Sequence, residues 1–272
     1  MLHSNDYLME GKEEIFRLDI KTDPDAVRRE ALWCGLKPGM RVLDAGCGPG
    51  KTSSLLHNMI QPGGSLLGVD YAEKRIAHAK SHYGGRPGLD FEVHDLREPL
   101  SLTGQFDLIW VRFVLEYNLM ERSEIVKNLT EFLKPDGYLC LMDLDHNCLN
   151  QYEMPPAMEN LLFQLMATLQ ANHNFDPYAG RKLYAALYDL GYRNIEMHLI
   201  GHHLIFGKAR ASDVFNWTKK MEMATDKLRT LFAHYPGGHK AFSEDFNAFF
   251  LDPRRFIYTP MILCKGRRPA TR

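Results

Sequence analysis

A glycine-rich loop, with an acidic residue before it and a basic residue after it, is the stretch of the sequence best suited to hold a ligand. Residues 42–54 read VLDAGCGPGKTSS, with glycines at 46, 48 and 50. Glycine permits positive backbone φ angles and lets a ligand approach the main chain closely. The loop by itself fits three classes of ligand, and the residues around it discriminate between them.

The first class is a nucleotide phosphate bound in a P-loop, since Lys51 and Thr52 follow Gly50. A P-loop works by pointing consecutive backbone N–H groups at phosphate oxygens. Pro49 removes one of those donors, because proline has no backbone N–H. Asp44 would also place a carboxylate beside a polyanion. These two residues argue against phosphate.

The second class is a dinucleotide bound on a Gly-x-Gly-x-x-Gly turn. Gly46 and Gly48 match its first two glycines, but Lys51 stands where the third glycine would allow close packing of helix on strand. The acidic residue of this motif is present, since Asp70 lies 20 residues past Gly50. Asp70 does not discriminate, because any adenosine ligand needs a carboxylate there for its ribose hydroxyls.

The third class is a cationic adenosine ligand, S-adenosylmethionine. This molecule carries a sulfonium and an ammonium group and no phosphate. Asp44 therefore favours it, whereas the same carboxylate would repel a phosphate.

Short apolar segments predict the strands that would position this loop. In the first half of the chain they are RVLDAG (41–46), SLLGVD (65–70), LDFEVHD (89–95), FDLIWVRF (106–113) and GYLCLMD (137–143). Helices are predicted between them at 51–60, 71–83 and 120–133. Such alternation predicts a parallel sheet, because each crossover carries a helix over one face. Ligands of such sheets bind beyond the carboxyl ends of the strands, where the glycine loop lies.

The second half of the chain predicts helices at 154–172 and 179–190, strands at 194–207 and 255–266, and two helices over 209–250 broken at HYPGG. We therefore predict an α/β fold with a doubly wound, mostly parallel, seven-stranded Rossmann-like sheet and helical cap insertions. The predicted segments are an N-terminal helical segment at 1–35, a ligand-binding core at 36–146, cap insertions at 147–178 and 208–252, a helix and strand completing the sheet at 179–207, and a last strand with a basic tail at 253–272.

Composition narrows the classes of function. The 272 residues include 33 basic and 34 acidic side chains, a net charge of −1, which gives no electrostatic footprint for nucleic acid. Five cysteines without a C-x-x-C pair indicate neither a zinc site nor a disulfide framework. The first residues lack the apolar core of a signal peptide, and no apolar run is long enough to span a membrane. A cytoplasmic location is the expectation.

Five segments taken together resemble the successive motifs of the class I S-adenosylmethionine-dependent methyltransferases, of the type that acts on small molecules. The segments are VLDAGCGPG (42–50), GVD (68–70), HD (94–95), FDLIWVRFVLEY (106–117) and LKPDGYLCLMD (133–143). The resemblance is strong over residues 36–143 and weaker on either side. It implies S-adenosylmethionine as the cofactor and S-adenosylhomocysteine as the product.

The resemblance also implies which residues hold the methionine part and the ribose. Gly46, Cys47 and Gly48 would pass under the methionine part, and Asp44 would help to hold its amino end. Asp70 would accept hydrogen bonds from both ribose hydroxyls.

The adenine and the ammonium group would meet the next strands. By the same resemblance, Asp95 would accept the adenine amino group and Leu96 would offer its backbone N–H to the ring. The backbone carbonyl of Arg112 would meet the cofactor ammonium. Tyr71 is placed either to stack near adenine or to pack locally at the start of a helix.

The N-terminal segment 13–23, EEIFRLDIKTD, resembles a helix that folds over the cofactor in many small-molecule members. Tyr7 and Arg17 are the contacts expected there. Arg17 would bind the methionine carboxylate, although a surface salt bridge explains an arginine at this position equally well.

Methyl transfer is an in-line displacement at a carbon that the sulfonium already activates. The enzyme holds the reacting atoms in line and excludes water, and it needs a general base only if the acceptor must lose a proton. The sequence assigns no catalytic residue. Candidates are Glu116, Tyr117, Asp145 and His146 near the strand ends, and His173, His202 and His203 in or beside the cap segments. Among 12 histidines chance placement is common, so each is more typical of a surface or hydrogen-bonded residue.

The run DLDHN (143–147) suggests a magnesium site of the catechol type, but the Asp expected after the fourth strand is missing, so we predict no metal. The Met and aromatic residues of 154–175 and 215–250 suit either an apolar acceptor pocket or plain core. We predict methyl transfer to oxygen, nitrogen or carbon of a small organic acceptor. Methylation of protein or RNA, a binding protein without chemistry, and a homodimer remain open.

Overall fold

The computed structural model describes residues 14–268, and its centre is one mixed sheet. The strands are β1 (Arg41–Ala45), β2 (Ser65–Asp70), β3 (Leu89–Val93), β4 (Phe106–Arg112), β5 (Leu133–Leu144), β6 (Gln151–Tyr152), β7 (Arg193–Phe206) and β8 (Phe256–Arg267). Their order is β3-β2-β1-β4-β5-β8-β6, and β7 pairs with β8. The first five strands are parallel, whereas β8 is antiparallel to β5 and β7. The predicted fold class is confirmed, and the two-residue β6 is the one strand that the sequence did not predict.

Helices connect these strands and cover both faces of the sheet. They are α1 (Glu14–Lys21), α2 (Pro24–Cys34), α3 (Lys51–Met59), α4 (Glu73–Tyr83), α5 (Arg122–Glu131), α6 (Pro156–Asn172), α7 (Leu183–Asp189), α8 (Ala211–Lys227), α9 (Arg229–Phe232) and α10 (Gly238–Leu251). Short 3₁₀ helices lie at Leu115–Tyr117 and Gly180–Lys182. Within residues 14–268 no helix is long and apolar enough to cross a membrane.

The register of the central strands brings their carboxyl ends to one edge. Ala45 pairs with Val69 on one side and with Val111 on the other. The ends of β1, β2 and β4 are therefore level, and the loops that follow them meet at the same edge. We call this the ligand edge. Because β7 is antiparallel to β8, the carboxyl end of β7 lies at this edge too.

Alternating side chains of the strands fill two separate cores, one on each face of the sheet. On β4, Leu108 and Trp110 point to one core, and Ile109 and Val111 point to the other. All four are buried. A fully buried side chain of this size stabilises the fold by about 1.5–3 kcal/mol, so the central strands are held firmly on both faces.

Helices α6, α8, α9 and α10, which we call the cap, form a third core. The inner face of α10 carries Phe242, Phe246, Phe249 and Phe250, whose spacing of four, seven and eight residues places them on one side of the helix. The sequence predicted two helices over 209–250, but the structure has three, because the chain breaks at Leu228 as well as near Gly237.

Candidate functional site

A cavity opens at the ligand edge between the glycine loop, α1 and the 3₁₀ helix that follows β4. We call it the glycine-loop cavity. Its lining contains every predicted cofactor residue that the structure describes: Arg17, Asp44, Gly46, Cys47, Gly48, Asp70, Tyr71, Asp95, Leu96 and Arg112. Tyr7 lies outside the described residues. Residues distant in sequence therefore share one cavity.

The backbone N–H groups of the glycine loop are bonded within the chain. Those of Gly46 and Cys47 both donate to the Val69 carbonyl, at 2.8 and 2.9 Å. The N–H of Gly48 donates to Asp70 Oδ2 at 3.0 Å. A phosphate cradle needs such groups turned toward the ligand. The loop is consequently no P-loop in this conformation, in agreement with the argument from Pro49.

Close packing explains the glycines at the two ends of the loop. Gly46 has φ +83°, and a Cβ there would overlap Cγ2 of Val114. Gly50 has φ +92°, and a Cβ there would lie 2.7 Å from Cβ of Ala79. The dinucleotide motif assigns such close helix packing to its third glycine, which would stand at position 51. Here Gly50, one position earlier, provides it.

Asp44 is a buried carboxyl beside the loop. It accepts a hydrogen bond from Ser53 Oγ at 2.6 Å. Burial raises the pKa of Asp44 to about 7, and the nearby Asp70 raises it too, while the Ser53 bond and the positive charge of Arg112 lower it. A cationic group bound beside Asp44 would stabilise its ionised form. This carboxyl therefore fits an ammonium-bearing ligand.

Asp70 is held rigidly at the end of β2. Besides the bond from the glycine loop, its Oδ1 accepts the N–H of Ala72 at 2.9 Å and lies 3.4 Å from Arg75 Nε. The next residue, Tyr71, is 36% exposed, and its ring lies 5.0 Å from the guanidinium carbon of Arg75 and 5.8 Å from that of Arg97. The Tyr71 ring is accessible to a ligand beside a fixed carboxylate.

Asp95 has a partner that sequence reasoning missed. Arg97 donates to it at 2.9 Å from Nε and at 2.6 Å from Nη2, and its backbone N–H adds a third bond at 3.0 Å. The side-chain bonds of Arg97 lower the pKa of Asp95, and its backbone N–H bond adds to the effect, although burial opposes them. An arginine two residues after an acid was the available signal. Leu96 between them is buried.

The two predicted arginines have carboxylate partners. Arg112 Nε lies 2.8 Å from Oε2 of Glu30 in α2. Arg17 is bonded to Glu14 at 2.7 Å and to Oδ1 of Asn216 in α8 at 2.7 Å. The salt-bridge interpretation of Arg17 describes this geometry, except that the pair is buried, not on the surface.

Some of the candidate bases line the glycine-loop cavity and others do not. Glu116 is buried and accepts a bond from Asn147 Nδ2 at 2.9 Å. Tyr117 lines the glycine-loop cavity, as does His173. His146 contacts the ring of Tyr178 and is not part of the cavity lining.

The carboxylates of the DLDHN run are engaged elsewhere. Asp143 accepts the backbone N–H groups of Leu115 and Glu116 at 2.9 and 3.1 Å. Asp145 pairs with Arg181 at 2.8 Å. Across the part of the chain that the structure describes, no group of three or more His, Cys, Asp or Glu residues is arranged to hold a metal ion.

A second, mostly apolar cavity lies within the cap, and we call it the cap cavity. Its apolar lining includes Leu165, Met166, Phe175 and Met221, and Tyr117 lines both cavities. Lysines on α8 supply its charges. Other aromatic residues of the same segments, such as Trp217, are core. Met166, Phe175 and Met221 belong to the third core as well, so these segments supply core side chains, some of which also line the cap cavity.

His202 and His203 lie at the ligand edge on β7, where the pairing with β8 is interrupted between His202 and Ile205. The ring of His202 lies 5.2 Å from that of Phe113, which lines the glycine-loop cavity.

The fold and this site define a doubly wound α/β protein with a ligand cavity at its glycine loop. Residues 36–222 match the family model described as "Methyltransferase domain", which is more than half of the chain. The chain belongs to this family, and its predicted resemblance to the class I S-adenosylmethionine-dependent methyltransferases is confirmed.

Relatives and solved structures agree with this membership. The ubiquinone biosynthesis O-methyltransferase of Bordetella avium is 32% identical over 116 residues, 42% of this chain and 46% of that protein. Phosphoethanolamine N-methyltransferase 2 of Haemonchus contortus, solved with S-adenosyl-L-methionine, has a TM-score of 0.61 at 14% identity, covering 99% of this chain and 61% of that one. The cyclase SpnF has a TM-score of 0.55 at 16% identity, covering 91% and 82%. The chain spans about half the length of the curated relatives it matches.

Proposed function

We propose that the protein transfers the methyl group of S-adenosylmethionine to a small organic acceptor. The observation that carries this proposal is the buried carboxyl of Asp44 beside a glycine loop whose N–H groups are bonded within the chain. Such a site suits a cationic ligand and disfavours a phosphate. Membership in the methyltransferase-domain family supports the same conclusion.

The lining residues would hold the parts of this cofactor in order along the ligand edge. Asp44 would hold the amino end, Asp70 the ribose hydroxyls, and Asp95 with the backbone of Leu96 the adenine edge. The exposed ring of Tyr71 supplies a face for the adenine. When bound, S-adenosylmethionine supplies a methyl group that its sulfonium has already activated for displacement.

Helix α1 and the cap would enclose the reaction. The buried bond of Arg17 to Asn216 fastens α1 to α8, and Glu14 holds the Arg17 guanidinium from within α1. Closure of this kind excludes water and holds the reacting atoms in line. Tyr117 lines both cavities, so an acceptor in the cap cavity would lie near a cofactor in the glycine-loop cavity.

A small acceptor is favoured over protein or RNA because the cap cavity lies between helices of the cap and is lined mostly by apolar side chains. The relative from Bordetella avium is named an O-methyltransferase of ubiquinone biosynthesis, which agrees with a small acceptor. A structural neighbour is named a cyclase, so the fold alone carries no activity. A cytoplasmic location and a homodimer stay predictions of the sequence.

Thermal unfolding with S-adenosylhomocysteine, ATP–magnesium and NAD in parallel tests the proposal. A ligand that binds the folded state raises the melting temperature, and only S-adenosylhomocysteine is expected to do so. The Asp70→Ala variant should lose most of that rise, whereas Asp90→Ala, an exposed acid on β3, should keep it. A rise with ATP–magnesium alone would overturn the proposal.

A further inference from the structure

One wall of the cap cavity is formed by α8, and this wall carries the charges of the cavity. Lys220 and Lys227 line the cavity from α8, while no carboxylate of residues 14–268 lines it. Seven residues separate the two lysines, so they lie on the same face of α8, about 10 Å apart along its axis. Most of the other lining side chains are apolar, among them Leu165 and Met166 of α6. The cavity thus combines an apolar interior with lysines along one wall.

The other polar side chains of the lining already have partners within the chain. Asn147 Nδ2 donates to Glu116 Oε2 at 2.9 Å, and Asn147 Oδ1 accepts the thiol of Cys148 at 3.2 Å. The side chain of Tyr117 is also hydrogen-bonded to Glu116, and this bond lowers the pKa of Glu116. These groups therefore offer a ligand less hydrogen-bonding capacity than the wall of α8 does.

Lys220 is the lysine of this wall whose ammonium group can serve a ligand. Its side chain is half-buried, and its Nζ lies 5.2 Å from the centroid of the Trp217 ring. Within the described part of the chain it forms no hydrogen bond or ion pair. The neighbouring Lys219, by contrast, is paired with Glu222 at 3.0 Å. An ammonium group has three N–H donors, so those of Lys220 are left for a group bound in the cavity.

Two buried carboxyl groups lie behind the lining and do not line the cavity. Glu116 is covered by the two bonds just described, and Asp143 accepts two backbone N–H groups of the 3₁₀ helix after β4, at 2.9 and 3.1 Å. Burial raises the pKa of both carboxyls, and the charge of Glu116 raises that of Asp143 further. Burial also lowers the pKa of Lys21, in the glycine-loop cavity, well below its usual range. The charge presented to a ligand in the cap cavity is therefore that of the lysines on α8.

Of the two lysines, Lys220 lies nearer to the glycine-loop cavity. One turn before it on α8, Asn216 Oδ1 accepts a bond at 2.7 Å from Arg17, which lines the glycine-loop cavity. Residues four apart are neighbours on one face of a helix. Lys227 lies two turns farther along α8, and Tyr117 lines both cavities. A group bound to Lys220 would therefore lie between the apolar lining and a cofactor.

We propose that the methyl acceptor is an apolar carboxylic acid, that its carboxylate pairs with the ammonium group of Lys220, and that its apolar body lies in the cap cavity. The inference rests on the proposed methyl transfer and narrows it to transfer onto a carboxylate oxygen, so that the product is a methyl ester. A hydrogen bond between two charged groups is stronger than one between neutral groups. An amine is disfavoured because its ammonium group would face that of Lys220.

Formation of a methyl ester balances without a general base. A carboxylic acid is already ionised at neutral pH, so no proton has to be removed. One carboxylate oxygen uses an electron pair to form the bond to the methyl carbon, and sulfur keeps the pair of the broken carbon–sulfur bond. The products are a neutral ester and a thioether. Because the ester has lost the negative charge, its pairing with Lys220 weakens and the product can leave.

Binding without turnover tests which end group the cap cavity selects. The full chain is saturated with S-adenosylhomocysteine and titrated by calorimetry with butanoate, hexanoate and octanoate, and with the alcohol and the amine of each chain length. We expect each carboxylate to bind at least about tenfold more tightly than its alcohol, the effect of one hydrogen bond to a charged group. The amine should bind most weakly. Each added methylene group should strengthen binding about fourfold until the chain fills the cavity.

Matched variants identify the residues responsible. Lys220→Met should remove the preference for the carboxylate and leave the binding of the alcohol unchanged, and Lys220→Arg should restore most of that preference. Lys219→Met, the control, removes a lysine that is paired with Glu222 and should keep the preference. Ala224→Leu narrows the cap cavity from α8 and should weaken the binding of octanoate more than that of butanoate. Binding of S-adenosylhomocysteine shows that each variant is folded.

Turnover identifies the atom that accepts the methyl group. With S-adenosylmethionine in place of S-adenosylhomocysteine, the carboxylates should yield methyl esters, which mass spectrometry detects. The alcohols should yield no methyl ether.

The outcomes separate the two proposals. If S-adenosylhomocysteine does not bind, the proposed function fails. If it binds but the carboxylates bind no better than the alcohols, Lys220→Met keeps the preference, or no carboxylate yields a methyl ester, the carboxylate inference is overturned and the methyltransferase proposal stands.

Discussion

The glycine-loop cavity and the histidine pair His202–His203 on β7 lie at the same edge of the sheet, but their polar groups are satisfied in opposite ways. Around the glycine loop, Asp44, Asp70 and Asp95 all have donors within the chain. Around the histidine pair, both ring nitrogens of His203 and the hydroxyl of Thr259 have no hydrogen-bond partner within residues 14–268. The first region is preorganised by its own hydrogen bonds, whereas the second leaves hydrogen-bonding capacity unused.

The largest expected effect is at the glycine loop, the preorganised region of this comparison. Gly46→Ala should destabilise the fold by about 2–5 kcal/mol, because a left-handed residue with a Cβ costs about 1–2 kcal/mol and overpacking against Val114 about 1–3 kcal/mol. Urea unfolding measures the loss. At Gly48 the atom nearest to an added Cβ is 3.9 Å away. Gly48→Ala should therefore carry only the cost of a left-handed backbone. Equal losses in the two variants would show that Val114 does not restrict the loop.

Removing a carboxylate from the preorganised site should weaken cofactor binding. Asp70→Ala should reduce the affinity for S-adenosylhomocysteine by about 1–3 kcal/mol, the cost of leaving ribose hydroxyls unpaired. Calorimetric titration measures it, with Asp90→Ala as the control. An unchanged affinity for Asp70→Ala would mean that the ribose lies elsewhere.

Asp44 should make cofactor binding depend on pH. Its pKa of about 7 without a ligand means that below this pH the carboxyl must lose a proton before it holds an ammonium. Affinity should therefore fall by up to about tenfold for each pH unit below about 7 and level off above it. The charges that face it, Arg112 and Asp70, are unchanged in Asp44→Asn, so this variant should bind weakly with little pH dependence. Calorimetric titration at several pH values checks this.

The half-buried His202 and His203 should make the fold sensitive to acid. Their folded pKa values are lowered, so below the unfolded value of about 6.5 the unfolded chain binds more protons and stability falls as pH falls. His203→Gln should reduce this slope by up to about 1.4 kcal/mol per pH unit. Urea unfolding of both proteins between about pH 5 and pH 7 measures the difference. The same slope in both would show that His203 is solvated.

The smallest expected effects come from removing one hydroxyl group in each of the two regions. Ser53→Ala removes a hydroxyl bonded to Asp44 and should cost about 1–2 kcal/mol, whereas Thr259→Val removes a hydroxyl without a partner in the described chain and should change stability by less than about 1 kcal/mol in either direction. Thermal unfolding of the two variants without ligands makes the comparison. A larger loss in Thr259→Val than in Ser53→Ala would contradict it.

Sequence reasoning reached the glycine-loop cavity because its residues follow strand ends that are recognisable locally. Asp44 and Asp70 each close a buried apolar run, and a parallel sheet must bring such ends to one edge. Arg97 escaped notice because its role depends on a turn that folds it back onto Asp95.

The grouping of His202 and His203 with Lys21 and Lys220 was beyond sequence reasoning for a different reason. His202 and His203 were candidates among many histidines, and only the interrupted pairing of β7 with β8 distinguishes them. Lys21 and Lys220 come together because α1 packs on α8, a contact between distant segments such as the one that joins Arg17 to Asn216. No local pattern encodes such a pairing. Helix ends in the cap were misjudged likewise, since packing and not propensity sets the break at Leu228.

Helix α1 has a consequence for the order of events in a catalytic cycle. The Lys51 ammonium donates to the Asp19 carbonyl, and Arg17 is bonded to Asn216, so α1 is anchored both to the start of α3 and to the cap. Lys21, at the end of the same helix, lines the glycine-loop cavity, and its Nζ lies 4.6 Å from the centroid of the Phe113 ring. A movement of α1 that admits a cofactor would therefore displace Lys21 as well. An acceptor that needs Lys21 in this position would therefore enter only after α1 has settled on the cofactor.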